Sequence, residues 1–443
     1  MSFPTRSSSC RTTQSTPAGS YSSEPVLDAT AREGHCNDGS MNQAVSPLRC
    51  QPFRYLIVGE ALSSFGNSIG PVALAFGVLD FSGSVTTLGL ILAARAVANL
   101  IALPIAGVVA DRVNRKLILL ASMAANGCSQ LATYFLLSRG ANSVPLIALC
   151  AVASGTAAAF TAPCWTAVLA STLPPDQLRR GNALGRLITN TAAGVGLSVA
   201  GLLTVSIGSA NSILVDSITF FIADVCFARL PGRVGDRGAA RRGICRELAS
   251  GWRTFRTTTW LWSTVMVFAA ANLVYYGGLT VLGPAIADDT FGRARWGLVL
   301  GSQTLGYIIG GFVALRLRPK RMLFWGLTLS GLLAAPLITL GVGAPILVII
   351  GASVMAGIGV EQLGVAWQTS IQQWVPDQML ARISSYDYLG SYAALPLGQA
   401  FAGPVSSRLG PGNTLIASSL LLVVTVLLAI SRRDVRQLSV RQA

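Results

Sequence analysis

From Phe53 onward the chain is a succession of long apolar runs separated by short polar breaks. Each run is long enough to cross a hydrocarbon core of about 30 Å. The pattern predicts membrane helices at about 54–78, 87–110, 117–137, 145–170, 182–205 and 211–230, then at about 261–286, 296–317, 322–341, 345–369, 385–407 and 413–431. The first six occupy 53–230 and the second six 261–431, with a polar, arginine-rich linker at 231–260 between them. Residues 1–52 are rich in Ser, Thr, Pro and Gly and read as a disordered cytoplasmic tail. They lack the hydrophobic centre of a secretory signal, and Met41 offers an alternative start. Residues 432–443 form a second short tail.

An internal repeat supports the division into halves. Pro175-Asp176-Gln177-Leu178 after the fourth run returns as Pro376-Asp377-Gln378-Met379 after the tenth. Gly196 and Ala200-Gly201 match Gly398 and Ala402-Gly403 after a one-residue slip, and Gly89-Leu-Ile-Leu92 echoes Gly297-Leu-Val-Leu300. The expected fold is therefore all-α, with 12 transmembrane helices in two six-helix bundles.

Composition explains why no soluble alternative works. Of 443 residues, 52% are hydrophobic and only 12% charged, too few charges to clothe a globular surface, where about 25% is usual. Basic residues outnumber acidic ones by 33 to 18. A net charge of +15 invites a nucleic-acid reading, but the arginines are scattered between apolar runs. With the N-terminus placed inside, 28 of the 33 fall in the tails and the loops of one side. That bias sets the expected orientation, with both termini cytoplasmic.

Enzyme chemistry finds no support. The eight cysteines form no CxxC pair, and the lone His35 sits in the N-terminal tail, so neither a metal site nor a histidine-dependent triad is expected. Gly66-Asn67-Ser68-Ile69-Gly70 matches GxSxG formally but lies inside an apolar run rather than at a strand-to-helix elbow. No cofactor is expected.

At the junction of the second and third runs stands Gly107-Val-Val-Ala-Asp111-Arg112-Val-Asn-Arg115-Lys116. Gly107 permits close approach of another helix, Asp111 can pair with a base or cap a neighbouring helix, and the basic run holds the loop inside. Such an exposed ion pair is weak enough to break, which suits a conformational latch. This segment resembles the loop motif of the major facilitator transporters. A further stretch runs from Val365-Ala-Trp367 through Gln372-Gln373 to Pro376, then Arg382-Ile-Ser384-Ser-Tyr386-Asp387 and Leu395-Pro396-Leu397-Gly398. With Gly59-Glu60, Gly66-Asn67 and Asp80-Phe-Ser-Gly83, it is similar to the actinobacterial branch grouped with enterobactin-type and macrolide exporters. The resemblance covers residues 53–430 and implies alternating access, a preference for export, and a monomer whose partners are a small-molecule substrate, protons and the lipid bilayer. Leu197 stands where the drug/proton antiporters of this superfamily carry a proline in helix five. A metabolite importer on the same fold and a non-transporting scaffold stay open as rivals.

Charges inside membrane helices are default functional candidates because each is costly to insert. Glu60 heads a polar stripe with Ser63 and Asn67; Glu361 shares a helix face with Gly357, Gly364 and Gln368. If the resemblance holds, helices one and ten border the central cavity, and either carboxyl could carry a proton or attract a cation. Arg95, with Asn99 one turn on, could hold an anionic group, counter a carboxylate or bond to carbonyls near Pro104. Asn272, Tyr275 and Tyr276, with Tyr388 and Tyr392, could form an aromatic and polar pocket. Asp216 and Asp224, in a helix the family places at the periphery, are expected to be structural.

Overall fold

The computed structural model describes residues 47–140, 143–174, 177–230, 255–317, 319–375 and 377–438. Residues 1–46 of the expected N-terminal tail, 231–254 of the expected linker and 439–443 lie outside that set, whereas Gln51 and Pro52, placed in the tail by the sequence pattern, already belong to the first helix. The helices are α1 Gln51–Ser82, α2 Val85–Arg112, α3 Arg115–Ser138, α4 Val144–Thr172, α5 Leu178–Ser206 and α6 Ser209–Ala228. The second half continues with α7 Thr259–Asp289, α8 Arg293–Arg316, α9 Met322–Gly341 and α10 Ile346–Trp374. It ends with α11 Asp377–Tyr392, α12 Ala394–Leu409 and α13 Pro411–Ser431. The α11–α12 pair forms one crossing, interrupted at Ala393.

Local chemistry sets several boundaries. Gly83, at φ 59°, ends α1 in the left-handed region that favours glycine, and Ser84 caps α2 by accepting from the Thr87 amide at 3.2 Å. Asn114, in the basic loop, caps α3 by accepting from the Lys116 amide at 3.0 Å. A capping role thus accounts for asparagine at that position.

Ten of the described helices are long and apolar enough to cross a membrane. Leu90, Ile101, Phe312, Leu315, Leu347 and Leu420 all stand exposed on the outside of the bundle, as a lipid-facing surface requires. The two crossings that miss that apolar standard are α3 and the α11–α12 pair. In α3 the reason is a buried polar face. Ser129 Oγ donates to the Cys150 carbonyl at 2.6 Å, Ser154 Oγ to Asn126 Oδ1 at 2.9 Å, and Ser217 Oγ to the Gly127 carbonyl at 2.8 Å. These bonds tie α3 to α4 and α6 where hydrophobic attraction between helices is weak.

The apolar interior is divided unequally. On the side carrying the chain ends, each half has its own cluster: Phe53, Leu119, Met123, Val168 and Phe220 in the first, and Leu261, Leu327, Leu363, Trp367 and Ile383 in the second. On the far side one cluster joins both halves, with Ile69, Phe76, Leu88 and Ile213 packed with Val281, Trp296, Val299 and Leu415. The halves are therefore fused on the far side.

The repeated glycines make that fusion. A Cβ on Gly201 of α5 would lie 2.2 Å from the Arg293 carbonyl of α8, and one on Gly297 would lie 2.9 Å from the Gly201 amide. In the matching pair, a Cβ on Gly403 of α12 would lie 2.5 Å from Thr86 Cα, and one on Gly89 of α2 would lie 2.3 Å from the Gln399 carbonyl. The helices touch backbone to backbone because these positions lack side chains.

Candidate functional site

Beneath the far-side seal lies a cavity of about 500 Å³, within the range of small-molecule sites. Its walls come from α1, α2, α4, α5, α7, α8, α11 and α12. Arg95 lies ten residues into α2, or about 15 Å at 1.5 Å per residue, close to the middle of the membrane.

Glycine and asparagine set the position of Arg95. A Cβ on Gly155 of α4 would lie 2.2 Å from the Arg95 carbonyl, so α2 and α4 meet directly there. One turn along, Asn99 Nδ2 donates to the Gly155 carbonyl at 3.0 Å and locks the crossing. The carboxylate that attracts Arg95 is Asp216 of α6, which is fully buried in the first half. Gln130 Nε2 donates to Asp216 Oδ2, while Oδ1 is buried with no hydrogen-bond partner. Gly66 and Gly70 leave the room this carboxylate fills.

The aromatic wall follows from an irregular α7. Its middle, Ala271–Tyr276 and Gly278–Leu282, is wound as π-helix, a distortion frequent at functional sites. Gly398 of α12 is jammed against this stretch, where its Cβ would lie 1.8 Å from the Leu273 carbonyl. Tyr275 and Tyr276 project from the distorted turns, edge to face at 5.7 Å. Tyr388 and Tyr392 of α11 stack at 4.3 Å, and Gln303 Nε2 donates to the Tyr307 hydroxyl at 2.9 Å. All five tyrosines line the cavity with Trp296, Asn99, Gln303 and Gln399.

Of the candidates read from the sequence, Arg95 and Tyr275 reach this wall, together with Tyr276, Tyr388 and Tyr392. Helix one borders the cavity through Pro71, Val72 and Ala75 rather than through its polar stripe. Glu60 lies lower, its Oε2 buried without a hydrogen-bond partner, and Asn67 is exposed. No residue of α10 lines the cavity, because α10 packs behind α8. Glu361 is half-buried with its Cβ against Gly310, and Gln368 is exposed. Asn272 is buried, and its Nδ2 donates to the Phe268 carbonyl one turn back at 3.0 Å. Sequence reasoning passed over Trp296, Gln303, Tyr307 and Gln399; their 3.6-residue spacing toward one side of α8 and α12 was the available signal.

In the basic loop, no atom of the described residues lies within 4 Å of a Cβ built on Gly107, so the described residues make no close helix approach there. Lys116 Nζ instead donates to the carbonyls of Ala228, at 2.8 Å, and Leu230, closing the end of α6. Arg115 Nε donates to the Ala110 carbonyl at 3.4 Å, and Arg112 is exposed. The Asp111 side chain lies outside the described residues. A different polar junction is formed on the far side. Arg293, at the start of α8, reaches Asp80 of α1 through both terminal nitrogens, one at 3.0 Å, and Asp288 of α7 through Nε and Nη2, both at 2.7 Å. Ser209 Oγ of α6 donates to Asp80 at 3.0 Å, and the guanidinium lies 4.9 Å from the Phe76 ring centre.

Residues 56–398 match the model of the Major Facilitator Superfamily. This chain belongs to that superfamily. It is 24% identical over 400 residues to the multidrug efflux pump Tap of Mycobacterium tuberculosis, covering 87% of this chain and 94% of the relative. Tap of Mycolicibacterium fortuitum is 24% identical over 410 residues, covering 87% and 97%. Among solved structures, the fold is shared with a mutant of the nucleoside transporter NupG (TM-score 0.71, 11% identity, 86% of this chain and 99% of that one). It is shared also with an inward-facing bacterial homologue of the iron transporter ferroportin (TM-score 0.69, 17% identity, 88% and 100%). The facilitator chain described here is accordingly a multi-pass membrane transporter of small molecules.

Proposed function

We propose that this protein is a proton-coupled efflux transporter that exports amphipathic small molecules, such as drugs, antibiotics or siderophores, across the bacterial plasma membrane. Residues 53–230 and 261–431 act as two bodies that rock about the cavity, and both chain ends are cytoplasmic. The observation that carries the reading is a mid-membrane aromatic cavity beneath a far-side seal that joins the halves. With the termini inside, this is the arrangement that loads from the cytoplasm. Similarity to Tap over 87% of the chain supports efflux of amphiphiles. Leu197 in place of the antiporter proline keeps a metabolite permease as the second reading.

The test uses everted vesicles containing the protein as a monomer, supplied from outside with a fluorescent amphiphile under an imposed pH gradient. Efflux coupled to protons predicts uptake into the everted lumen that collapses when the gradient is dissipated. Gradient-independent flux overturns the coupling, and absence of flux supports a scaffold. Glu60→Gln and Glu361→Gln are each measured in the same assay. Loss of gradient dependence in one of them identifies a coupling group, and wild-type behaviour in both removes these carboxyls from the mechanism.

A further inference from the structure

The cavity wall is polarised in a way that general amphiphile transport does not require. Arg95 is the one charged side chain among the described residues that line it. Its guanidinium donates no hydrogen bond to a described residue, which leaves its donors for a ligand. The carboxylate that attracts it, Asp216, does not line the cavity and is held behind the wall by Gln130. Gln303 donates to the oxygen of Tyr307, which leaves that hydroxyl's own proton to offer.

Unpaired buried donors and acceptors select their ligand, because leaving them unmatched costs more than pairing gains. We propose that this cavity takes planar aromatic molecules carrying an acidic group, with the anion on Arg95 and the ring system among the tyrosines, in preference to lipophilic cations. The tyrosine faces supply stacking for the ring system, as the Tyr388–Tyr392 pair already does internally. Tyrosine faces also attract cations. Arg95 decides against them, since a monocation in the same space meets a fixed positive charge with no carboxylate in the wall. The assignment rests on reading this cavity as the transport site, and it concerns binding, which is measured apart from flux.

Two xanthene dyes of the same tricyclic skeleton isolate the charge: a fluorescein carboxylate, anionic at neutral pH, and a rhodamine ester, cationic. Binding of each to the purified full-length protein is followed by fluorescence anisotropy at matched ionic strength. The expected result is a dissociation constant about tenfold lower for the anion, equivalent to about 1.4 kcal/mol. Arg95→Gln should bring the ratio close to one, while Arg95→Lys, which keeps the charge without the fork, should retain part of it. Equal or tighter binding of the cation, an unchanged ratio in Arg95→Gln, or no binding of either dye overturns the proposal. If Arg95→Gln does not fold, the wild-type ratio decides alone. Flux of a cationic dye in everted vesicles, with no anion binding, defeats this assignment while leaving efflux standing.

Discussion

Replacing Arg293 by Gln should let the far side of the molecule open more often. The guanidinium joins Asp80 of α1 to Asp288 of α7 and so bridges the two halves at the rim of their shared seal. Its side chain is 21% exposed and that of Asp80 is 44% exposed, so solvent screens the pair. Exposed ion pairs contribute about 0.2–1 kcal/mol, and two-pronged geometry favours the upper end. Asp288 belongs to the same half as Arg293 and adds nothing to closure directly. The contribution to the closed state is then about 1 kcal/mol, a population change of about fivefold. The readout is a cysteine placed at Leu197, which lines the cavity, in a background without native cysteines. A membrane-impermeant maleimide applied to intact cells reaches it only when the far side opens. Its labelling rate should rise about fivefold in Arg293→Gln and less in Arg293→Lys. Asp80→Asn should act in the same direction, and Ser209→Ala should have a smaller effect. Labelling at the wild-type rate in both Arg293→Gln and Asp80→Asn would refute the latch, leaving the apolar cluster and the glycine contacts as the seal.

Three further outcomes follow from the packing. Gly107→Ala should keep or slightly raise thermal stability, by up to about 1 kcal/mol, because the added methyl meets no atom of the described residues within 4 Å and alanine is the better helix former. If it abolishes flux without loss of stability, Gly107 is needed in the oppositely opened state. Gly398→Val drives a side chain into the Leu273 carbonyl and should cost about 1–3 kcal/mol or more, seen as a fall in melting temperature and loss of dye binding. Asp216→Leu strips Gln130 of its buried partner and should cost about 1–3 kcal/mol, whereas Asp216→Asn should cost less; equal melting temperatures for the two would show that the bond to Gln130 contributes little.

Much of the architecture was legible along the chain. The apolar runs anticipated most helices to within a few residues, since a helix in lipid must satisfy its backbone internally and clothe itself with apolar side chains; the eleventh, expected from 385, begins at Asp377 because its first two turns are polar. The repeated Gly201 and Gly403 were visible as a duplication, but their role as the two halves of one seam was not. Arg95 and Tyr275 were visible as costly or unusual residues within apolar runs, and they do reach the cavity. Glu60 and Glu361 carried the same signal and lie elsewhere, because insertion cost marks a polar residue without saying which neighbour covers it.

The sequence by itself determined the membrane class, the helix order and the two-part plan, because those depend on local transfer energies and on spacing along one chain. Tertiary structure alone decided where the halves fuse, which tyrosines share a wall, and that Asp80 and Arg293 meet although 213 positions separate them. Those relations depend on which helices cross and at what depth. That in turn depends on glycine-permitted backbone contacts such as Gly297 on Gly201, whose energies belong to pairs of helices rather than to either one.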